Sequence, residues 1–392
     1  MKRLLSLTLL CATSSLMALG GEHAYLYKDP RIMGMGGANI AVGGYSTSVF
    51  SNPAGLSKLN KENGMVVDIL GIGASTSQNT LTFLSDIGDV ETDTNVNPNA
   101  TNDMIALLSK YSGKYFHIGA NNYTSVSNNS DSFAWSVGLL AAGDVNYMVH
   151  ANGGASFLET SSRAYGGVVL GGSNKYSTDL GSLDIGIGLK YITQTSYEGG
   201  LTINDLVNNN DIAKYLEDKY KKQSSGFGLD IGAILSPFKE SALHPAIGFS
   251  ILNIGSMGMD NSYGAQPMTV NVGASISPEV PLIESFTLAV DYVDLLNANK
   301  VRFYDINGLV DSDLSESDFM KRLRIGVGLG LLNSTFLSLK LNAGLYQSAY
   351  TAGAEIELAL FKVALTTYQE EVGTGSASNT DRRYMAQIGF GW

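Results

Sequence analysis

The chain has 392 residues and a formal net charge of −11, and only 16% of its residues are charged, well below the ~25% usual for soluble domains. The acidic balance argues against a nucleic-acid partner, because binding a phosphate backbone requires a basic surface. The counts of 45 glycines, 20 tyrosines and 8 prolines favour a β-barrel over a compact soluble domain.

An export signal is predicted at residues 1–20. Two basic residues at positions 2 and 3 precede an apolar run, and Ala18-Leu19-Gly20 predicts cleavage after Gly20. The lone cysteine, Cys11, lies in this segment, so the mature chain is expected to have no thiol for a disulfide, a zinc site or a nucleophile. Beyond residue 20, no stretch approaches the ~18 apolar residues that a membrane-spanning helix needs.

Residues 21–63 are rich in glycine and lack the pattern of a strand. Gly36 and Gly37 permit a tight backbone path. Pro53 disfavours a helical conformation at Asn52, so Asn52-Pro53-Ala54 is expected to form a turn. On these grounds the segment is a glycine-rich extension that precedes the first strand.

From residue 64 to residue 392, apolar residues alternate with glycine and polar residues, which is the period of a β-strand. Ile185 and Ile187 alternate with Asp184, Gly186 and Gly188, for example. A membrane barrel turns leucine, isoleucine and valine toward lipid and small or charged residues toward its lumen. We therefore predict an all-β fold, a transmembrane antiparallel barrel of about fourteen strands. The strands are expected near residues 64–74, 114–122, 132–144, 160–173, 181–196, 224–236, 243–254, 268–277, 283–293, 321–332, 335–345, 349–359, 360–369 and 382–392.

The lengths of the connections carry independent information. Connections after odd-numbered strands are mostly long, as at 75–113 and 294–320, whereas those after even-numbered strands are short. Outer-membrane barrels have short periplasmic turns and long external loops, so both patterns agree. Helices are predicted at 204–222 and 104–111 within two long loops, where they either pack on the barrel rim or form a surface that collects ligands.

The last strand places apolar and aromatic residues on one face and ends on an aromatic residue. Such an end resembles the signal that outer-membrane barrels present to their insertion machinery, and its residues here are Tyr384, Ile388, Phe390 and Trp392. The predicted location is the outer membrane of a Gram-negative bacterium. The expected partners are the insertion machinery, the membrane lipid and lipopolysaccharide.

Strand parity directs a set of charged side chains into the lumen, since a charge on the lipid face costs ~2–4 kcal/mol near the midplane. We expect these groups to pair with one another and with the backbone of the N-terminal segment. They either fill a plugged lumen or line a polar path for a solute. The principal candidates are Asp230, Asp291, Arg322, Arg324, Lys340, Glu355 and Glu357.

No catalytic, metal or cofactor site is predicted. The four histidines, at positions 23, 117, 150 and 244, are scattered without the spacing of metal ligands. The acidic loops lack the glycine and terminal glutamate of a calcium loop, and no nucleophile elbow, P-loop or zinc signature is present. We therefore expect a protein that is not an enzyme.

The sequence GMGGANIAV, a spacer, SNPAGL directly before the first strand and the aromatic last strand together resemble the FadL-type outer-membrane transport superfamily, which includes FadL/TodX-like proteins. The resemblance implies that residues 21–63 form a hatch that folds into a fourteen-stranded barrel, with Asn52, Pro53 and Ala54 at its turn. It also implies that displacing the hatch gates the passage of hydrophobic or amphipathic small molecules, often sideways through the wall. The external loops, rich in Asn, Asp and Ser, depart from the family's apolar groove, which argues against a fatty acid.

The same motifs also resemble PorV-like relatives and conjugal-transfer TraF-like barrels, and the terminal sequence is more similar to the second group. This resemblance implies a different role, in which the barrel is a partner in secretion, conjugation or assembly. Thioredoxin-type chemistry is excluded, because the chain contains no Cys-x-x-Cys.

Overall fold

The computed structural model describes residues 25–60, 64–90, 96–130, 132–149, 158–202, 205, 212–238, 240–259, 263–305, 308–315, 319–334, 336–372 and 379–391. The predicted export signal and Trp392 lie outside the described residues. Within these ranges, no helix has the length and apolar character needed to cross a bilayer.

Fourteen antiparallel strands close into a barrel, as the alternation predicts, and two further strands form a separate hairpin. Strand β9 pairs with β12 across this hairpin, β10–β11, and β1 closes the ring on β16. The strands are β1 Met65–Ser77, β2 Tyr115–Asn129, β3 Phe133–Val149, β4 Leu158–Thr178, β5 Gly181–Leu201, β6 Lys221–Pro237, β7 Ala246–Ile254, β8 Thr269–Ile276, β9 Ser285–Tyr292, β10 Lys300–Asp305, β11 Gly308–Ser315, β12 Leu323–Asn333, β13 Leu337–Tyr346, β14 Ala349–Leu358, β15 Phe361–Glu371 and β16 Thr380–Gly391.

Five α-helices are described, and most of them lie in long connections. They are α1 Pro30–Gly34, α2 Gln78–Gly88, α3 Ala100–Lys110, α4 Ile212–Tyr220 and α5 Phe319–Arg322. Helix α4 falls within its predicted range, 204–222, and α3 overlaps the predicted range 104–111 but begins four residues earlier, at Ala100. Helix α2 and the β10–β11 hairpin are not predicted by the sequence pattern. Leu107 of α3 and Leu216 of α4 are buried in one cluster with Phe83, Phe116 and Tyr147, so these helices pack on the barrel rim.

The wall is apolar outside and polar inside. On β5, Ile185, Ile187 and Leu189 are about half exposed, whereas Asp184 and Lys190 on either side of this stretch are buried. Exposed aromatic residues mark two levels of the wall, and an apolar band between aromatic girdles is typical of a transmembrane barrel. Phe238, Phe336, Phe361 and Phe390 lie at the end with short turns, and Tyr191, Phe227, Tyr350 and Tyr384 lie toward the end with long loops.

The last strand follows the same parity. Tyr384, Ile388 and Phe390 are exposed on the outward face of β16, and Arg383 and Met385 are buried on its inward face. Phe390 packs against Phe361 of the neighbouring strand with ring centroids 4.6 Å apart. The apolar stripe that the sequence predicts is therefore on the lipid-facing side of the wall.

The N-terminal segment, residues 25–60, lies within the barrel. It consists of α1 and two 3-10 helices, Ser46–Phe50 and Pro53–Lys58, joined by tight turns. Tyr27 and Phe50 of this segment stack with centroids 5.4 Å apart, and both contact the ring of Tyr123 on β2. The segment therefore forms an internal core with the inward face of the wall.

The outward face can be tested with Ile187→Arg, which places a charge in the middle of the apolar band. We expect this change to lower the free energy of unfolding from lipid vesicles by ~2–4 kcal/mol, because the guanidinium loses hydration in hydrocarbon. A denaturant titration of the vesicle-inserted barrel measures the effect. Thr193→Arg, beyond the aromatic level of Tyr191, is the matched control and should cost only ~0–1 kcal/mol. Equal stabilities of the two variants would contradict the assigned orientation.

Candidate functional site in the barrel lumen

The backbone of the N-terminal segment lies against the inner face of the wall at strand positions that carry glycine. A Cβ atom added to Gly186 of β5 would lie closer than 3.0 Å to the main chain of Pro53 and Ala54, and one added to Gly232 of β6 would overlap Asn52. Atoms do not approach so closely, so the segment occupies the space that side chains would fill. The same close approach occurs at Gly248, Gly326 and Gly344.

Asn52 fixes the turn that the sequence predicts. Its Oδ1 accepts from the N–H of Ala54 at 3.1 Å and caps the 3-10 helix that begins at Pro53. Its Nδ2 donates to the carbonyl of Ile40 at 2.7 Å and to that of Ala233 on β6 at 3.2 Å. One buried side chain thus holds the turn, a distant part of the segment and the wall together.

Gly36 and Gly37 follow α1 and turn the chain sharply, with φ of 66° and 77°. A side chain on Gly36 would collide with the carbonyl oxygens of Ile325 and Leu345 on the wall. The N–H of Gly36 donates to the hydroxyl of Thr351 on β14 at 3.0 Å. Glycine is therefore required here both by the backbone conformation and by the contact with the wall.

Asp291 of β9 holds the main chain of the segment. Its Oδ2 accepts from the N–H of Asn39 at 2.6 Å and from that of Ile40 at 2.8 Å, and the carboxylate is fully buried. Two backbone donors on one carboxyl oxygen offset only part of the cost of burying this group. This contact joins residues that are more than 250 positions apart in the sequence.

Asp230 of β6 belongs to a network within the wall. Its Oδ2 lies 2.8 Å from Nζ of Lys190, and its Oδ1 accepts from the N–H of Asn253 at 2.7 Å. Lys190 in turn donates to Oδ1 of Asn253 at 2.7 Å. These three buried groups satisfy one another and hold the end of β7.

A second charged cluster lies between the segment and β13–β14. Arg31 pairs with Asp29 at 2.6 Å and stacks on the ring of Tyr45, with 4.4 Å between the guanidinium carbon and the centroid. Burial alone would raise the pKa of Asp29, but the charge and hydrogen bonds of Arg31 hold it below its ordinary value. Glu355 lies 4.0 Å from Arg31 and 3.9 Å from Lys340, so the segment and the wall share this network.

The three remaining residues that the sequence predicts to face the lumen lie at three different levels of the barrel. Arg324 is buried, stacks on the ring of Tyr346 at 4.1 Å and donates to the carbonyl of Lys321. Arg322 does not lie in a strand as expected; it ends α5 at the rim, because β12 begins one residue later, and it donates to the carbonyl of Asp294 at 3.1 Å. Glu357 is half-buried near a short turn, opposite Lys362 of β15.

A polar cavity of about 80 Å³ remains between the segment and the wall. Lys28, Glu370 and Arg383 line this cavity. Lys28 lies 2.6 Å from Glu370, and Arg383 binds both Glu370 and Asp381, the last of which lies outside the lining. Ligand sites usually occupy ~300–1,000 Å³, so this cavity has room only for solvent-sized molecules. The sequence does not predict this site, although Glu370 and Arg383 share the inward parity of their strands.

A second cavity, of about 40 Å³, lies where β1 meets β16. The pairing of β1 shifts register with both neighbours between Asp68 and Ile72, and Leu70 has a φ of 51°. The lining includes Tyr27 on the inside and Phe390 on the outside. The bulge in β1 therefore interrupts the regular pairing at the seam that closes the barrel, beside a cavity lined from both faces of the wall.

No three His, Cys, Asp or Glu side chains converge as metal ligands anywhere in the part of the chain that the structure describes. The lumen instead combines buried ion pairs, tyrosines and main-chain hydrogen bonds. Together with the outward apolar band, these features define a class of protein: a transmembrane antiparallel barrel whose lumen is occupied by its own N-terminal segment.

Solved structures of similar architecture narrow this class. A TodX deltaS2S3 mutant, described as a monoaromatic hydrocarbon channel, aligns with a TM-score of 0.54 and 13% identity over 93% of this chain and 98% of that one. The Ralstonia pickettii toluene transporter TbuX aligns with a TM-score of 0.51 and 12% identity over 93% and 97%. A Pseudomonas aeruginosa FadL homologue aligns with 0.51 and 9% over 96% and 99%. The chain has the FadL-type barrel fold.

No family model and no curated protein sequence matches the chain. The predicted resemblance to FadL-type barrels is nevertheless confirmed at the level of the fold, along with the count of fourteen barrel strands.

Gly186→Val tests whether the close contact between wall and segment depends on glycine. We expect the added side chain to displace the turn at Pro53, since overpacking costs ~1–3 kcal/mol, and to expose Lys58 to trypsin. Limited proteolysis of the detergent-solubilised protein measures the change. Gly172→Val on the neighbouring strand is the matched control, because its Cβ would meet only ordinary contacts with Phe133. Identical cleavage of both variants would contradict the assignment.

Proposed function

We propose that the protein is an outer-membrane channel for hydrophobic or amphipathic small molecules, gated by the N-terminal segment acting as a hatch. One observation carries the proposal: the lumen of the barrel is filled by a segment of the same chain, and the cavities beside Tyr27 measure about 80 and 40 Å³. A solute of ligand size therefore passes only when the segment moves. The fold shared with proteins described as a hydrocarbon channel and a toluene transporter supports the same class of cargo.

The contacts of the segment support a hatch that can be displaced. They include hydrogen bonds and ion pairs, such as those of Asp291 with Asn39 and of Lys58 with Asp184 at 3.2 Å, beside several small, separate apolar clusters. Each such polar contact contributes only ~0.5–3 kcal/mol net, because water can replace it when the segment moves. A segment held by a continuous apolar core would lack this exchange with solvent.

The lining favours amphipathic cargo over pure hydrocarbon. Tyr115, Tyr165 and Tyr263 surround the larger cavity, and Arg163 lies over the ring of Tyr165 at 4.5 Å. Aromatic faces bind apolar groups, and hydroxyl and charged groups bind polar ones. We propose solutes that carry both, and we propose the bulge of β1 at Leu70 as their lateral exit toward lipid.

The proposal includes the surroundings of the barrel. It places the protein in the outer membrane of a Gram-negative bacterium, in contact with lipid and lipopolysaccharide, after insertion by machinery that reads the stripe ending in Tyr384, Ile388, Phe390 and Trp392. It assigns no catalytic step and no cofactor.

A disulfide between the hatch and the wall tests gating directly, because the predicted mature chain contains no cysteine. The hydroxyls of Ser57 and Ser173 lie 2.6 Å apart, so cysteines at these positions need only a small shift to reach the ~2.05 Å of bonded sulfurs. We expect oxidised Ser57→Cys/Ser173→Cys barrels in liposomes to lose uptake of a panel of apolar and amphipathic compounds, and to regain it on reduction.

The matched control ties two wall strands instead. Ser127 and Ser136 of β2 and β3 lie 2.8 Å apart, and their oxidised cysteine pair should leave uptake unchanged. Uptake that persists through the hatch disulfide would overturn gating by this segment. Absence of uptake of every compound by the unmodified protein, together with recovery of a stoichiometric envelope protein by affinity capture, would favour the assembly-partner role instead.

A further inference from the structure

A groove lies on the outward face of the wall, beneath α2. This helix begins directly after β1 and is fastened to β2, where Asn79 Nδ2 donates to the carbonyl of Tyr115 at 2.9 Å and Thr80 Oγ1 donates to that of His117 at 3.1 Å. Leu81 and Leu84, one turn apart, are not covered by the rim; they are 48% and 54% exposed and line the groove.

The floor of the groove combines small residues with Leu365 of β15, which lies beside Ala386. Ala74 and Ala386 face each other across β1 and β16, and Ala352 lies on the same outward face of β14. Leucine, isoleucine and phenylalanine occupy most outward positions elsewhere on the wall, so alanine here creates a depression. The groove measures about 760 Å³ and is mostly apolar, which is the size of a ligand site.

The positively charged side chain of Arg382 lies next to this groove, on the side nearer the long loops. Arg382 shares the outward parity of Tyr384 and lies two residues, about 7 Å, closer to the end with long loops. Its Nη1 donates to the carbonyl of Tyr350 at 2.8 Å, and its guanidinium carbon lies 3.9 Å from that ring. None of the ion pairs formed among the described residues includes Arg382, so the guanidinium is held in place while its charge is left without a carboxylate.

We propose that this groove binds a phosphorylated glycolipid of the outer leaflet, such as the lipid A part of lipopolysaccharide. The phosphate binds Arg382, and an acyl chain lies along Ala74, Ala352 and Ala386 beneath Leu81 and Leu84. The position in the apolar band makes acyl chains the material that contacts the groove, and an unpaired arginine at the aromatic level selects an anionic headgroup. A protein partner without an acid at this height would leave the guanidinium unpaired.

This site requires a membrane-spanning barrel but not transport. The proposal of this site can therefore be wrong while the proposed channel function is right, or the reverse. Its test does not use the uptake of small molecules.

Native mass spectrometry of the detergent-solubilised full chain with added lipid A measures the binding. We expect one lipid A to remain bound to the unmodified protein, and the affinity to fall at least about tenfold in Arg382→Gln, which loses a charge-assisted contact. Ala386→Leu, which fills the groove but keeps the arginine, should also weaken binding. Lys221→Gln removes an equal charge from an exposed lysine of β6 and should change nothing. Heat-dependent migration on a gel shows that each variant is a closed barrel.

Three results would overturn the proposal. Equal retention of lipid A by the unmodified protein and Arg382→Gln would exclude recognition of the phosphate. Equal retention of phosphatidylcholine and lipid A would exclude selection of an anionic glycolipid. A dimer of this chain that Ala386→Leu dissociates and that lipid A does not affect would identify the groove as an interface between copies.

Discussion

A ring of fourteen strands encloses more space than its own inward side chains fill, and the rest of this structure depends on how that space is occupied. The chain supplies its own N-terminal segment, and the wall makes room for it by carrying glycine where the segment's backbone passes, as at Gly186 and Gly232. The glycines therefore have a positive role in packing. They let a main chain lie directly on a sheet, where its polar groups reach strand carbonyls, hydroxyls and carboxylates.

Buried charge connects this packing to the chemistry of the lumen. Asp291 accepts two main-chain amides of the segment, and Glu370 accepts both Lys28 and Arg383. Buried ion pairs contribute little net stability, because desolvation offsets the attraction, but removing one partner is costly. Such contacts make the position of the segment specific while leaving its attachment modest. The apolar part of that attachment is divided among several small clusters, of which the one around Tyr27, Phe50 and Tyr123 is the most aromatic.

Period-two alternation predicts the wall closely because every strand has lipid on one side and the lumen on the other; β14, for example, is expected at 349–359 and observed at Ala349–Leu358. Local sequence patterns do not predict a change of structure that has no turn-forming residue to mark it. Helix α2 follows β1 with no glycine or proline between them, and the bulge at Leu70 leaves no mark in the alternation. The contact of Asp291 with Asn39 cannot be predicted from the sequence for another reason. Strand parity shows that a carboxylate points inward, but it does not show which main-chain groups the carboxylate contacts.

The contacts between the two ends of the chain have a consequence for biogenesis. Tyr27 accepts from Gln387, 360 positions later, and β1 pairs with β16, the last strand to be made. The ring cannot close until β16 has been made, whereas the segment that fills it is made before any of the strands. The N-terminal segment must therefore remain unfolded or chaperoned at first. It then enters the lumen while the strands still form an open sheet, or as β1 pairs with β16. Contacts over such long sequence separations slow folding. They also couple the entry of the N-terminal segment into the lumen to the pairing of β1 with β16.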